Sequence, residues 1–271
     1  MDIVEQLNNI ALIKSKNQKP DKYIIKGVWD TNIFLKPNKD EVLFSTPFIM
    51  VQTTGVGCCY HSKRVKLSNK LIGKDARFAS YPDLYTTIAA LDSIFSNFKK
   101  SPSNRYVLEG SPLSKIMKRT RIITTSVLEC LYELSGKKKN YSVALVGAVG
   151  NFIKSINKYH NINIYVSDLD RLLRPRRIHG IKINNGHKTL ENIKRTDVTL
   201  VTGMTLATNS LEDILKTVNE YNKKLIMYAQ TGANFASEYL KMGIDVVIAE
   251  YFPFYVFPGK SIIEIYNKGI K

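Results

Sequence analysis

Along the second half of the chain, short unbroken apolar runs alternate with glycine-containing polar turns and with segments of helical spacing. The runs Ser142 to Val146, Ile162 to Val166, Ile181 to Ile183, Val198 to Val201, Leu225 to Tyr228 and Val246 to Ala249 read as strands. Asn151 to His160, Lys188 to Lys194, Ser210 to Tyr221 and Phe235 to Met242 read as the helices between them. Strands that are apolar throughout, rather than alternating, suit a parallel sheet covered on both faces. This rhythm predicts an α/β fold: a Rossmann-like, doubly wound, mostly parallel sheet over residues 141–271. A turn at Phe257-Pro258-Gly259-Lys260 precedes Ile262 to Tyr266, expected as an antiparallel edge strand.

Residues 1–136 read as a smaller α+β domain. Ile3 to Lys14 has helical spacing, and Tyr23 to Val28, Asn32 to Lys36 and Val42 to Ser45 read as antiparallel strands. The last two would be joined by a turn at Pro37-Asn38-Lys39-Asp40. Pro82 to Phe98 is expected to be helical, with Pro82 at its first position. Lys99 to Asn104 reads as a loop, and Ser111 to Leu134 as a helix with a break near Thr120. Gly136 suits the residue after a helix end and marks the domain boundary.

Candidate chemistry clusters where the predicted strands end. The first strand runs into Gly147-Ala148-Val149-Gly150-Asn151, a turn whose helix-start amides would hold an anion. It lacks the central glycine of a dinucleotide fingerprint, which counts against NAD. Asp168 lies 21 positions after Gly147, the spacing of an acid that accepts from a ribose hydroxyl in nucleotide-binding folds. The same residue also suits a turn cap. Thr202, Gly203 and Thr205 follow the fourth strand, and Thr231 and Gly232 the fifth. Ser210 with Asp213 resembles a capping box. Together these turns mark a ligand crevice at the C-terminal edge of the sheet. Arg174, Arg176 and Arg177, beyond the second strand, are candidates for pairing with an anionic group. Asp168, Asp170 and Glu250 are the acids nearest the edge, and no catalytic role is assigned.

The first half offers one candidate. Cys58, Cys59 and His61 are soft-metal ligand types, although adjacent residues rarely reach one tetrahedral ion and no second cluster follows. The cysteines are too few for a disulfide framework and fit a reducing cytoplasm. A signal peptide is not expected from the first residues, and no run approaches the roughly 18 apolar residues of a membrane helix.

Charge changes the picture only slightly. With 40 Lys+Arg against 23 Asp+Glu, the net charge is +17, which favours phosphates, acidic metabolites or nucleic acid. The basic residues are dispersed, however, and no nucleic-acid-binding motif accompanies them. A small-molecule ligand is therefore the expected partner, nucleic acid is not, and a homo-oligomer is compatible with the sequence.

At Thr196-Asp197-Val198-Thr199-Leu200-Val201-Thr202-Gly203-Met204-Thr205-Leu206, with Asn209 and Leu211, the chain resembles the putative heavy-metal chelation family, whose function is unknown. The likeness extends back to Val143–Gly147, on to Gly243-Ile244-Asp245 and, more weakly, to the helix around Tyr85 to Phe95. The resemblance implies an enolase-like N-terminal domain joined to a Rossmann-like one. The family's first turn carries aromatic and proline residues where Ala148-Val149-Gly150 stands here. Two principal readings follow. One is a protein that binds a small anionic metabolite, a nucleotide-type cofactor or a metal chelate at the sheet edge. The other is an S-adenosylmethionine-dependent methyltransferase with Asp168 on the ribose. S-adenosylmethionine and a metal ion are the cofactor candidates.

Overall fold

The computed structural model describes residues 2–35, 44–134, 139–170 and 177–268. The N-terminal part opens with α1 (Ile3–Ser15), capped by Asp2, whose carboxylate accepts from the Glu5 amide at 2.8 Å. Strands β1 (Gly27–Leu35), β2 (Phe44–Gln52) and β3 (Val56–Tyr60) form an antiparallel sheet in the order β1-β2-β3. Helix α2 (Leu84–Phe95) lies on β2 and β3. It starts at Asp83, which caps the Thr86 amide, and not at Pro82.

The second sheet has nine strands in the order β4-β12-β11-β10-β9-β5-β6-β8-β7. They are β4 (Asn104–Leu108), β5 (Tyr141–Val146), β6 (Ile162–Asp168), β7 (Arg177–Ile178), β8 (Ile181–Asn185), β9 (Val198–Thr202), β10 (Lys224–Ala229), β11 (Val246–Tyr251) and β12 (Ser261–Asn267). Strands β11-β10-β9-β5-β6-β8 run parallel, while β12, β4 and β7 pair antiparallel. The doubly wound architecture read from the apolar runs is thus observed. Its helices are α3 (Pro112–Leu134), α4 (Gly150–Ile156), α5 (Thr189–Lys194), α6 (Met204–Ala207), α7 (Leu211–Glu220) and α8 (Ala236–Met242).

Burial explains the layering. Helix α7 buries Leu211, Ile214, Leu215 and Val218, the stripe that a 3.6-residue period directs to one side. These side chains join a core that contains Val201, Leu225 and Val247 from the sheet and continues into Leu7, Ile88 and Phe95 of the N-terminal part. One apolar core therefore spans both sheets. On the opposite face, Ile123 and Val127 of α3 and Phe152 and Ile156 of α4 pack with Val143, Leu200 and Ile226.

Several details differ from the sequence reading. Two elements ahead of the boundary expected at 136–141, namely β4 and α3, belong to the large sheet and its covering layer. Helix α3 is continuous through Thr120. The expected strand from Tyr23 is a 3-10 turn (Pro20–Tyr23), and β1 begins only at Gly27. The expected turn at Pro37 to Asp40 lies outside the described residues. Ser210 makes no capping bond. Its hydroxyl sits 3.1 Å from that of Thr208, and the expected capping box does not form. Among the described residues, no helix is long and apolar enough to cross a membrane.

Candidate functional site

Strand β5 pairs with β6 on one side and with β9 on the other. The loops leaving β5 and β9 therefore diverge at this switch point, the place outside the C-terminal strand ends where open α/β sheets form a ligand crevice. Gly147 ends β5 at φ +102°, a conformation that a side chain would strain. Its amide donates to Ser167 O at 2.9 Å. Asp168, at the end of β6, reaches back under the turn: its Oδ2 accepts from the Ala148 amide and its Oδ1 from the Asp170 amide, each at 2.7 Å. Both carboxylate oxygens thus tie down the turn. This is the capping use of an aspartate, and it removes the specific signal for a ribose.

At the switch point, a Cβ added at Gly147 would lie 3.6 Å from Thr202 Cγ2, and one at Gly203 would lie 2.4 Å from Thr231 O. The turns after β5, β6, β9 and β10 are therefore contiguous. Gly150 and Asn151 are half-buried at the start of α4, where Gly150 faces His179, 3.8 Å from its added Cβ to Nε2. Thr205 and Thr231 point elsewhere. Thr205 is buried and donates to Thr202 O at 2.9 Å, and the Thr231 hydroxyl accepts from the Tyr60 amide at 2.8 Å. The Gly232 amide donates to Cys58 O at 3.1 Å. Of the residues read as ligand contacts, Thr205, Thr231 and Gly232 are taken up by the frame, while Gly147, Gly150, Asn151, Asp168 and Thr202 border the opening.

The frame is a joint between the two sheets. Asp92 of α2, 1% exposed, accepts from the Cys58 amide and from the Asn234 amide, both at 2.8 Å. Burial pushes its carboxyl up to about 7, against the lowering effect of those two amides. The joint carries Tyr60 to the crevice, where burial and then the charges of Asp168 and Asp170 raise its phenol above the usual value. Tyr60 and His179 are thus wall residues that the sequence reading did not select. The segment around Tyr60 stood out for its cysteines rather than for its phenol. On the α3 side, Gln230 Nε2 donates to Glu250 at 3.1 Å, Tyr228 donates to the same carboxylate, and the buried Arg119 stacks 3.8 Å from the Tyr255 ring centre.

The structure does not bring Cys58, Cys59 and His61 together as ligands. Alternation along β3 sends Cys58 into the cluster with Phe48 and Phe254, and Cys59 into the main core. Both nitrogens of the His61 ring face oxygens, Asp30 Oδ1 at 2.8 Å and Lys63 O at 2.9 Å. Among the described residues there is no group of three or more His, Cys, Asp or Glu that would hold a metal ion. Burial raises the Cys58 and Cys59 thiols well above the usual value and takes Cys130 up to about 12. Titration of the native protein with a chromogenic disulfide at mildly alkaline pH should therefore find no fast-reacting thiol, and all three should react after unfolding. A thiol that reacts rapidly in the folded protein would contradict this burial.

Arg174 and Arg176 lie outside the described residues. Arg177 is exposed at the start of β7 and donates to Gly180 O at 2.7 Å.

Comparison with known proteins agrees with the fold. A protein of unknown function from the DUF364 family of Desulfitobacterium hafniense DCB-2 superposes with a TM-score of 0.58 at 10% identity, covering 96% of this chain and 98% of that one. Another DUF364 protein of unknown function, from Pyrococcus horikoshii, gives a TM-score of 0.56 at 10% identity, covering 97% and 99%. No curated protein matches the chain. The family model described as "Putative heavy-metal chelation", DUF364, matches residues 131–248, the segment that carries the turns after β5, β6, β9 and β10.

Proposed function

We propose that the chain binds a small polar metabolite, free or as a metal chelate, in the crevice between β3 and the C-terminal edge of the large sheet. The observation that carries this reading is the meeting of Gly147, Asp168, Thr202 and Gly203 with Tyr60 at the switch point of the sheet. Open α/β sheets hold their ligands there. The Tyr60 phenol and the Asp170 carboxylate beside these turns suit a ligand that presents hydroxyl groups or a chelated cation, and the family description points the same way. No specific observation favours the methyltransferase reading, because both oxygens of Asp168 already accept main-chain amides.

Calorimetry with citrate, nickel citrate and S-adenosylmethionine tests the proposal. Citrate or its nickel chelate should bind, and Asp168→Ala, by releasing the turns that both its oxygens hold, should weaken that binding at least tenfold. The same substitution frees the partly buried Ala148 amide and the exposed Asp170 amide, and should cost about 1–3 kcal/mol of stability, nearly all of it from the first. Binding of S-adenosylmethionine alone, or binding indifferent to Asp168, would overturn the reading.

A further inference from the structure

A second concavity lies at the other end of the large sheet, where β10 and β11 begin. It is a groove of about 720 Å³ between α3 and the outer strands β4 and β12. The pairing register sets Asn104 and Tyr106 of β4 opposite Ile265 and Ile263 of β12, so these residues share one sheet face. That face carries the core under α3 and α4. Strand β4 is the edge of the sheet, and its residues Asn104 to Val107 are exposed.

The helical wall of the groove is charged in two blocks. Lys118 and Arg121 stand toward its start, Glu129 and Glu133 toward its end, and all four are exposed. Lys118 donates to Glu109 O at 3.1 Å. Among the described residues, the side chains of Arg121, Glu129 and Glu133 have no hydrogen-bond or ion-pair partner. At the helical rise, the centres of the two blocks are about 17 Å apart. On the floor, Lys224 and Asp245 neutralise each other at 3.1 Å.

We propose that this groove binds an extended peptide of about five residues, with an acidic side chain at one end and a basic one at the other. Two features select that occupant. An extended chain of five residues spans the distance between the charge blocks, and the open edge of β4 offers main-chain partners to a strand laid beside it. The acidic block disfavours a nucleic acid or a simple polyanion, which the net charge alone would attract.

The test uses fluorescence anisotropy of the full chain with capped, labelled pentapeptides: Glu-Val-Thr-Val-Lys, the same peptide with Glu at both ends, and the same peptide with Lys at both ends. The mixed peptide should bind best, by at least tenfold. Arg121→Glu should shift the preference to the Lys-ended peptide, and Glu133→Arg to the Glu-ended one. Both positions are exposed, so folding should be unaffected, and circular dichroism of each variant checks this. Preference of the natural chain for the Glu-ended peptide would mark general attraction to its positive charge and would overturn the proposal. So would equal binding of all three peptides, absence of binding at millimolar concentration, or a preference unmoved by both reversals in folded variants.

Discussion

Gly57→Ala should destabilise the protein by about 3 kcal/mol or more, at the upper end of what overpacking costs. A Cβ at this position would lie 2.1 Å from Ala89 O and 2.2 Å from Ser93 N. Both atoms belong to the main chain of α2, so no side chain can rotate away, and β3 must leave the helix. Moving β3 also breaks the bond from the Cys58 amide to Asp92 and displaces Tyr60 from the crevice. Gly150→Ala is the matched control. Its Cβ would find nothing nearer than 3.7 Å, and its cost should stay within about 0.5 kcal/mol. Urea denaturation of the two variants checks the contrast. Equal midpoints for Gly57→Ala and the natural chain would mean that β3 does not sit against α2 in this way.

Asp92→Ala should cost about 2–6 kcal/mol, since it strands two buried amides, each worth about 1–3 kcal/mol when unpaired. Asp92 also gives stability a definite pH dependence. Its folded carboxyl titrates near 7, raised above the unfolded value by burial. Its stabilising contribution is therefore complete below the unfolded value, near 4, and is lost as pH rises through 7. The stability of the natural chain relative to Asp92→Asn should fall by about 3 kcal/mol between about pH 5 and pH 8. Denaturation curves for both proteins at the two pH values give this difference directly. A difference that stays constant or grows with pH would show that Asp92 is not held in this buried joint.

The large sheet was legible because its strands are continuous apolar runs between glycine-bearing turns. β5, β9, β10 and β11 all contain the residues expected of them, and their ends differ by at most two positions. The edges were harder to read. Four of the five residues of β4 are exposed, its apolar residues Tyr106, Val107 and Leu108 are consecutive rather than alternating, and Asn104 at its head falls in a segment that reads as a loop. β3, with Gly57 and two adjacent cysteines, looks unlike a strand, yet it is buried between α2 and the Gly232 turn.

The site was legible in part, for a related reason. Turns at the ends of parallel strands meet whatever their sequence, so Gly147, Asp168, Thr202 and Gly203 could be grouped from order alone. Thr231 and Gly232 could not be told apart from ligand contacts, because their partners, Tyr60 and Cys58, lie more than 170 positions earlier in the chain. The same long-range pairing hid the role of Asp92, which on α2 reads as one polar position in an apolar helix.

The proposed function requires the crevice to hold a small molecule. Native mass spectrometry of the chain after incubation with a low-molecular-weight cell extract tests this most directly, with Gly150→Phe measured in parallel. Gly150 starts α4 at the turn that leaves β5, and its added Cβ would lie 3.7 Å from Ile178 Cγ2 and 3.8 Å from His179 Nε2, so a larger ring there should crowd the β7 side of the opening. A non-covalent adduct of a few hundred daltons is expected on the natural chain, and none on Gly150→Phe. A natural chain that stays bare, or an adduct that Gly150→Phe retains in full, would contradict the proposed function.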